Sequence, residues 1–400
     1  ELEAARKAFE ADGYRVIGAA VAAKAADELG EQSGIPSDTL MKMLRELRKR
    51  AFEVDTKLEQ LVLRGQATSK QKGLYNYQRE RLRYSLDAQT VFVLDEASMV
   101  STKDMKELLG YIEQSGAKLI LVGDERQLPS IEAGGSFEAI SERFMKVELS
   151  DVRRQREEWQ RESVKQLAEG DIEAGLSGYE KRGLVIVSPT REEAIDALLS
   201  DWKRQGIKAP QDNVMIAVTN ADVSVLNRKA QRARKEAGQV CKTPIRVGSQ
   251  RFYQGDRVVF TKNLRSHRIK NGVFGVLESV DAKQRRLTVR TDSGQRVSFT
   301  AKEFTDIRLG YAATTHKIQG SSIHHTYVLA GGSLQNREQL YVQLSRQKVE
   351  ARIYLDGPDK EVGLRNLKNY GRVSRRKTFA CMMTTNSSSC VLTRDEPIHP

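Results

Sequence analysis

Val91-Phe92-Val93-Leu94 and Leu119-Ile120-Leu121-Val122 are apolar at every position, and a single helical stretch separates them. A strand with one wet face alternates polar and apolar residues, whereas a strand apolar throughout is covered on both faces. Strand, helix and strand of this length therefore predict a parallel sheet sandwiched by helices, an α/β fold. The local signals agree. Ser101 with Asp104 resembles a capping box, the helix runs to about Gln114, and Gly116 closes it. Upstream, residues 1–12 are amphipathic, Gly13 stops them, and residues 14–22 form an apolar run of strand character.

The first lobe is expected over residues 1–150. Residues 37–86 are polar, highly charged and helical in period without a strong strand, which predicts a helical insertion at about 40–88. Further strands near Leu184, Val214, Tyr327 and Ile353, with helices after the first two, predict a second α/β lobe over 151–245 and 305–365. Residues 246–304 change character. Short alternating strands at 257–260, 275–277, 287–289 and 297–299 are separated by turns such as Asn271-Gly272 and Ser293-Gly294, the pattern of a small inserted β-barrel. Residues 366–400 lose periodicity and carry a Ser/Thr-rich stretch at 384–389, so a disordered tail is expected.

Sixty-six basic residues against 53 acidic ones leave a surplus of 13, which favours a polyanion such as nucleic acid and equally suits a basic protein kept in solution by its charge. Cys241, Cys381 and Cys390 lack the spacing of a zinc site or disulfide framework, which points to a reducing, cytoplasmic setting. No apolar run reaches the roughly 20 residues that span a bilayer, and no signal-peptide pattern is present.

The 91–94 strand delivers Asp95 and Glu96 to its C-terminal end, where ligand sites in open α/β sheets sit. In a nucleotide-hydrolysing site Asp95 would hold Mg²⁺ and Glu96 would polarise the attacking water. Alone, two such carboxylates are as readily surface residues of a loop. The next strand brings a second polar cluster, residues 122–130, to the same edge. There Gln127 could sense a γ-phosphate and Gly123 would permit close approach of the backbone; a plain tight turn is the other reading.

Residues 94–98 and 122–130 resemble, as an ordered pair, motifs II and III of superfamily-one helicases. The resemblance continues through Arg153-Arg154-Gln155, similar to motif IV, residues 311–322, similar to motif V, and residues 340–348, similar to motif VI; residues 18–29 match motif Ia. The barrel ahead of motif V is similar to that of the exonuclease V alpha-subunit (RecD) branch, and the run from Gly255 to residues 310–313 to the helicase part of TraA/TraI-type conjugative relaxases. This resemblance implies two RecA-like P-loop NTPase lobes, the first incomplete, with an SH3-like β-barrel inserted in the second. It implies an ATP- and Mg²⁺-dependent motor moving 5′ to 3′ on single-stranded DNA, with other conjugation or repair proteins as partners.

By position in these motifs, Glu96, Gln127, Arg154 and Arg346 are the catalytic candidates, Arg346 as an arginine finger from the second lobe, with Arg153 an alternative to Arg154. Asp95, Gly123, Asp124 and Gly320 are the nucleotide-binding candidates. Thr315, His316 and Gln319 suit a loop that touches nucleotide and DNA backbone. Thr39 and Asn220 are lesser candidates for strand contacts or helix caps, Asp222 being read as a cap. Lys262, Arg265, Arg268 and Lys270 would track phosphates or simply be solvated.

The phosphate-binding loop Gly-x-x-x-x-Gly-Lys-Ser/Thr occurs nowhere in the chain. In the family it precedes a helix like residues 1–12, so truncation is the expected reason and the chain alone is expected to be inactive. A non-hydrolysing single-strand binding remnant and a RecD-like repair helicase fragment are the alternative readings.

Overall fold

A computed structural model of the chain describes residues 2–49, 56–82, 85–130, 132, 134–144, 146–148, 154–267, 269–281, 283–374, 380–382 and 391–393. These divide into two compact units, one built on Glu1–Glu125 and Pro129–Lys146, the other on Arg126–Leu128 and Val147–Arg375.

In the first unit β1 (Arg15–Ala20), β2 (Ser37–Thr39), β3 (Thr90–Asp95) and β4 (Lys118–Leu121) form a parallel sheet of order β2-β1-β3-β4. Residues of β3 alternate between two apolar layers. Phe92 and Leu94 pack with Met43 and Leu44 of the helix Leu40–Leu47 and with Met105, Leu108 and Ile112 of the helix Thr102–Ser115. Val91 and Val93 pack with Leu29 and Ile35, and Phe9 joins them from the helix Leu2–Ala11. Continuous apolarity thus follows from burial on both faces. Ser101 caps its helix by accepting from the Asp104 amide at 3.1 Å, and Gly116 ends it at φ +70°. The stretch read as lacking a strong strand opens with a short one: Ser37–Thr39 is β2, held by parallel pairing to β1 and too short and polar to carry a periodic signal. After it come the helices Leu40–Leu47, Thr56–Leu63 and Ser69–Leu82.

The second unit contains β5 (Val185–Ser188) and β6 (Asn213–Ala217), then β7 (Pro244–Val247), β8 (Gln250–Tyr253), β9 (Arg257–Phe260), β10 (Phe274–Asp281), β11 (Arg286–Thr291), β12 (Arg296–Thr300) and β13 (Ile307–Leu309), and finally β14 (Ala312–Thr314), β15 (Ile323–Leu329) and β16 (Gln347–Asp356). A parallel sheet of order β14-β6-β15-β16-β5 is its frame. Trp202 of the helix Arg191–Gly206 is fully buried on it and donates its indole N–H to Asn213 O at 2.9 Å. Between β6 and β14 lie the β7–β8 hairpin and an antiparallel sheet of order β12-β11-β10-β9-β13, cored by Phe260, Phe299 and Phe304.

The expected disordered tail also needs correction. The helix Lys360–Arg372 crosses the 365/366 boundary because Leu367 is fully buried and Gly371 lies tight against Ile172 and Leu340. Beyond residue 374, Ala380–Met382 and Val391–Thr393 pair antiparallel; the rest of that stretch, including the Ser/Thr-rich run, falls outside the described residues or their side chains.

Candidate functional site

In the first unit the β1 register places Ala20 between Thr39 on one side and Asp95 on the other, so both candidates lie at the C-terminal edge of the sheet. Thr39 is the N-cap of the helix Leu40–Leu47, its hydroxyl accepting from the Lys42 amide at 3.3 Å. Burial pushes the Asp95 carboxyl above the usual range, and the Glu28 charge adds to the shift, while the Glu96 amide, donating to Oδ1 at 2.8 Å, opposes it. No basic side chain among the described residues pairs with Asp95. A desolvated carboxylate without a counter-charge fits a hard cation such as Mg²⁺, which takes oxygen ligands and shares them with phosphates.

Glu96 adopts φ +53°, ψ +38°, a left-handed conformation that costs a non-glycine residue roughly 1–2 kcal/mol. Its neighbours hold it there. The Val122 amide donates to Leu94 O and the Ala97 amide to Val122 O, each at 2.8 Å, so the turn is clamped to the end of β4 on both sides. Gly123 serves this clamp. A Cβ there would meet the Ser98 and Ala97 backbone nitrogens at 3.1 and 3.2 Å, so the close approach foreseen at Gly123 is made by the protein's own 95–98 turn. We expect Gly123→Ala to cost about 1–3 kcal/mol through forced backbone displacement, measured as a lower melting temperature of the first unit; an unchanged melt would overturn this account of the glycine. Asp124 follows it, half-buried. Gln127 sits in Arg126–Leu128, a segment that belongs to the second unit.

In the second unit Arg154, Gln155 and Arg346 converge on Ser345, and Arg154 also reaches Ser322. Arg154 donates from Nη1 to Ser345 O at 2.7 Å and from Nε to Ser322 Oγ at 2.9 Å. Gln155, 2% exposed, donates to the carbonyls of Ser345 and Gln347 at 3.1 and 3.0 Å. Arg346, also 2% exposed, donates from Nε and Nη2 to Ser345 Oγ at 3.2 and 3.0 Å. The structure therefore brings Arg154 and Arg346 together at the edge where β15 and β16 begin, since Ile323 and Gln347 are in register. Arg153 lies outside the described residues.

Thr315 is fully buried and its hydroxyl accepts from Gln343 Nε2 at 3.0 Å; Gln335 in turn donates to Gln343 Oε1. His316 beside it is exposed. Gln335 Oε1 stays buried without a partner, and Gln319 goes further: both of its side-chain polar atoms are inaccessible and neither has a hydrogen-bond partner. Leaving a buried amide unpaired costs about 1–3 kcal/mol, and a polar ligand at this loop would relieve it. Gly320 follows at φ +78°, a conformation suited to glycine. Asn227 pins the preceding strand, its Oδ1 accepting from the Tyr311 and Ala312 amides at 2.8 and 3.0 Å. No local signal marks Asn227 or Ser345 for these roles, because all the partners named but Arg346 lie 84 to 191 residues away.

The remaining candidates are separate from these clusters. Asn220 is exposed at the first position of the helix Asn220–Glu236, which Thr219 caps through the Asp222 amide at 3.1 Å; Asp222 completes the capping pair and binds Arg191 at 2.9 Å. Lys262 is 71% exposed and pairs with Asp306 at 3.2 Å. The Arg265 side chain and all of Arg268 lie outside the described residues.

A family model described as an AAA domain matches residues 1–190. The conjugal transfer protein TraA of Agrobacterium fabrum is 34% identical over 357 residues, 88% of this chain and 29% of that protein. The ATP-dependent RecD2 DNA helicase of Deinococcus radiodurans is 31% identical over 235 residues, 58% of this chain and 31% of that protein. The chain thus spans less than a third of either relative. Among solved structures, the Pif1 helicase from Bacteroides in complex with ADP-AlF3 and single-stranded DNA superposes with a TM-score of 0.52 over 87% of this chain and 84% of that one, at 18% identity, a likeness of fold. No helix among the described residues is long and apolar enough to cross a membrane.

Proposed function

The chain belongs to the RecD-like branch of superfamily-one DNA helicases, and from that premise we propose that it is the motor portion of a conjugative relaxase-helicase, driving 5′-to-3′ movement on single-stranded DNA in the cytoplasm. The observation that carries this reading is the paired-carboxylate turn. An uncompensated Asp95 and a strained Glu96 stand together at the C-terminal end of a buried parallel strand. Similarity to TraA across 88% of the chain supports the conjugative assignment over a repair role.

In this mechanism Asp95 holds the metal through its carboxylate, and a bound Mg²⁺ would neutralise charge on the phosphates. Glu96 orients and deprotonates the attacking water, which its clamped backbone favours. Gln127 senses the terminal phosphate, Gly123 and Asp124 shape the turn that follows β4, and Arg154 and Arg346 are cations suited to stabilise charge developing on a transferred phosphoryl group. Thr315, His316, Gln319 and Gly320 form the loop whose unsatisfied Gln319 amide takes a polar group of nucleotide or strand. Thr39, Asn220, Lys262 and Arg265 contribute strand contacts, and the 246–304 insert closes as an SH3-like barrel. The phosphate-binding loop is absent from this sequence, so the chain alone should not turn over ATP.

The test is ATP hydrolysis with and without single-stranded DNA, on this chain and on a version extended upstream to include a phosphate-binding loop. Hydrolysis by the extended protein alone, stimulated at least tenfold by DNA, is the expected result. DNA binding without hydrolysis by the extended protein would instead establish a non-hydrolysing binding remnant.

A further inference from the structure

The β7–β8 hairpin turns at Gly248, φ +58°, and buries its inner face: Ile245, Val247 and Phe252 are 4%, 2% and 0% exposed. That apolar face sets the register, because a one-residue slip would expose it. The same register makes Arg246 and Arg251 direct cross-strand partners on the outer, solvent-facing side. Like charges in this position destabilise a strand pair. A third arginine comes from the β10–β11 turn. Arg285, at φ +52° and with its carbonyl accepting from the Ala301 amide at 2.9 Å, reaches back and donates Nη2 to Arg246 O at 3.3 Å.

All three are exposed, and none forms an ion pair among the described residues. Three other arginines of the same insert are neutralised. Arg290 and Arg296 share Glu278 at 3.6 and 2.8 Å, and Arg257 binds Asp292. Asp281, across the β10–β11 pair from Arg286, commits Oδ1 to the amides of Lys283 and Gln284. The fold thus tolerates a concentrated positive charge here while it compensates Arg257, Arg290 and Arg296.

We propose that Arg246, Arg251 and Arg285 form a seat for the phosphodiester backbone of DNA, separate from the motif loops. This rests on the reading of the chain as a DNA motor. Guanidinium forks suit phosphate oxygens, and three of them within one patch can engage successive phosphates.

The test measures affinity for a fluorescent single strand and for a blunt hairpin duplex over a salt series. It compares the full chain, an R246Q/R251Q/R285Q variant and an R204Q/R290Q/R296Q control that removes three exposed, ion-paired arginines. The patch variant should lower the slope of log K against log salt by roughly 2 to 3, at about 0.9 per lost contact for duplex or about 0.7 for single strand. The probe whose slope falls identifies which form occupies the seat. The control should leave both slopes unchanged, and thermal melts of both variants should match the parent. Equal slopes in the patch variant and parent overturn the seat alone, as does an equal fall in the control. No binding of either probe by the unaltered chain overturns the seat together with the motor reading.

Discussion

Glu96→Gln should lower DNA-stimulated ATP turnover of the loop-containing protein by about 10²- to 10⁴-fold, the range a positioned general base contributes. The amide keeps the shape of the side chain and leaves the backbone clamp from Val122 and Ala97 in place, so the fold and DNA affinity should stay within about twofold of the parent. That separation is the point of the experiment. A residue whose only role was to shape the β3 turn would tolerate glutamine, because the left-handed φ of +53° concerns the main chain. Steady-state turnover with saturating single-stranded DNA decides it, and retention of more than a tenth of parental activity would remove Glu96 from the chemistry.

The second large effect is structural and concerns Asp256. This side chain is fully buried, and its oxygens accept from Tyr311 Oη at 2.7 Å, the Tyr253 amide at 2.7 Å and Gln231 Nε2 at 2.6 Å. Burial pushes its carboxyl above the usual range against those three hydrogen bonds and the nearby Arg234 charge. Arg234 is itself 6% exposed, donates to Gly255 O and Ile207 O at 2.8 and 3.0 Å, and lies over the Tyr311 ring. Asp256 thus joins the helix Asn220–Glu236, the hairpin, the inserted sheet and the strand that leads to Thr315. Removing one member of such a buried network costs about 3–5 kcal/mol, because the partners stay buried without compensation. For a unit of this size Asp256→Ala should lower the melting temperature on the order of 10 °C. Calorimetry measures it, and a shift below about 2 °C would mean that the network is dispensable.

The first parallel sheet was legible because residues 91–94 of β3 and 119–121 of β4 are apolar throughout and flank a helix with strong end signals at Ser101 and Gly116. β2 was not, since three polar residues, Ser37 to Thr39, become a strand only by pairing with β1. The helix at Lys360–Arg372 was not legible either, for a similar reason. Its buried stripe is thin, and Leu367 and Gly371 make sense only against Ile172 and Leu340. Site residues divide the same way. Asp95 and Glu96 could be named from the strand that ends at them, whereas the role of Gly123 changed once the 95–98 turn was seen to pack on it. The loop at Lys262 looked as basic as any, yet its lysine is paired with Asp306, while Arg246, Arg251 and Arg285, dispersed over 40 residues of sequence, converge unneutralised.

What the sequence by itself determined was the class of fold and the chemical type of the motifs, because apolar periodicity and the residue at a strand's end are local properties. What only the tertiary structure decided was which charges are compensated and which buried groups are satisfied. Ser345 gathering Arg154, Gln155 and Arg346, and Asp256 gathering Tyr253, Tyr311 and Gln231, rest on partners up to 191 residues away. Desolvation and hydrogen bonding depend on neighbours that chain closure brings into place, so identical local sequence can leave an arginine solvated, neutralised or poised for a phosphate.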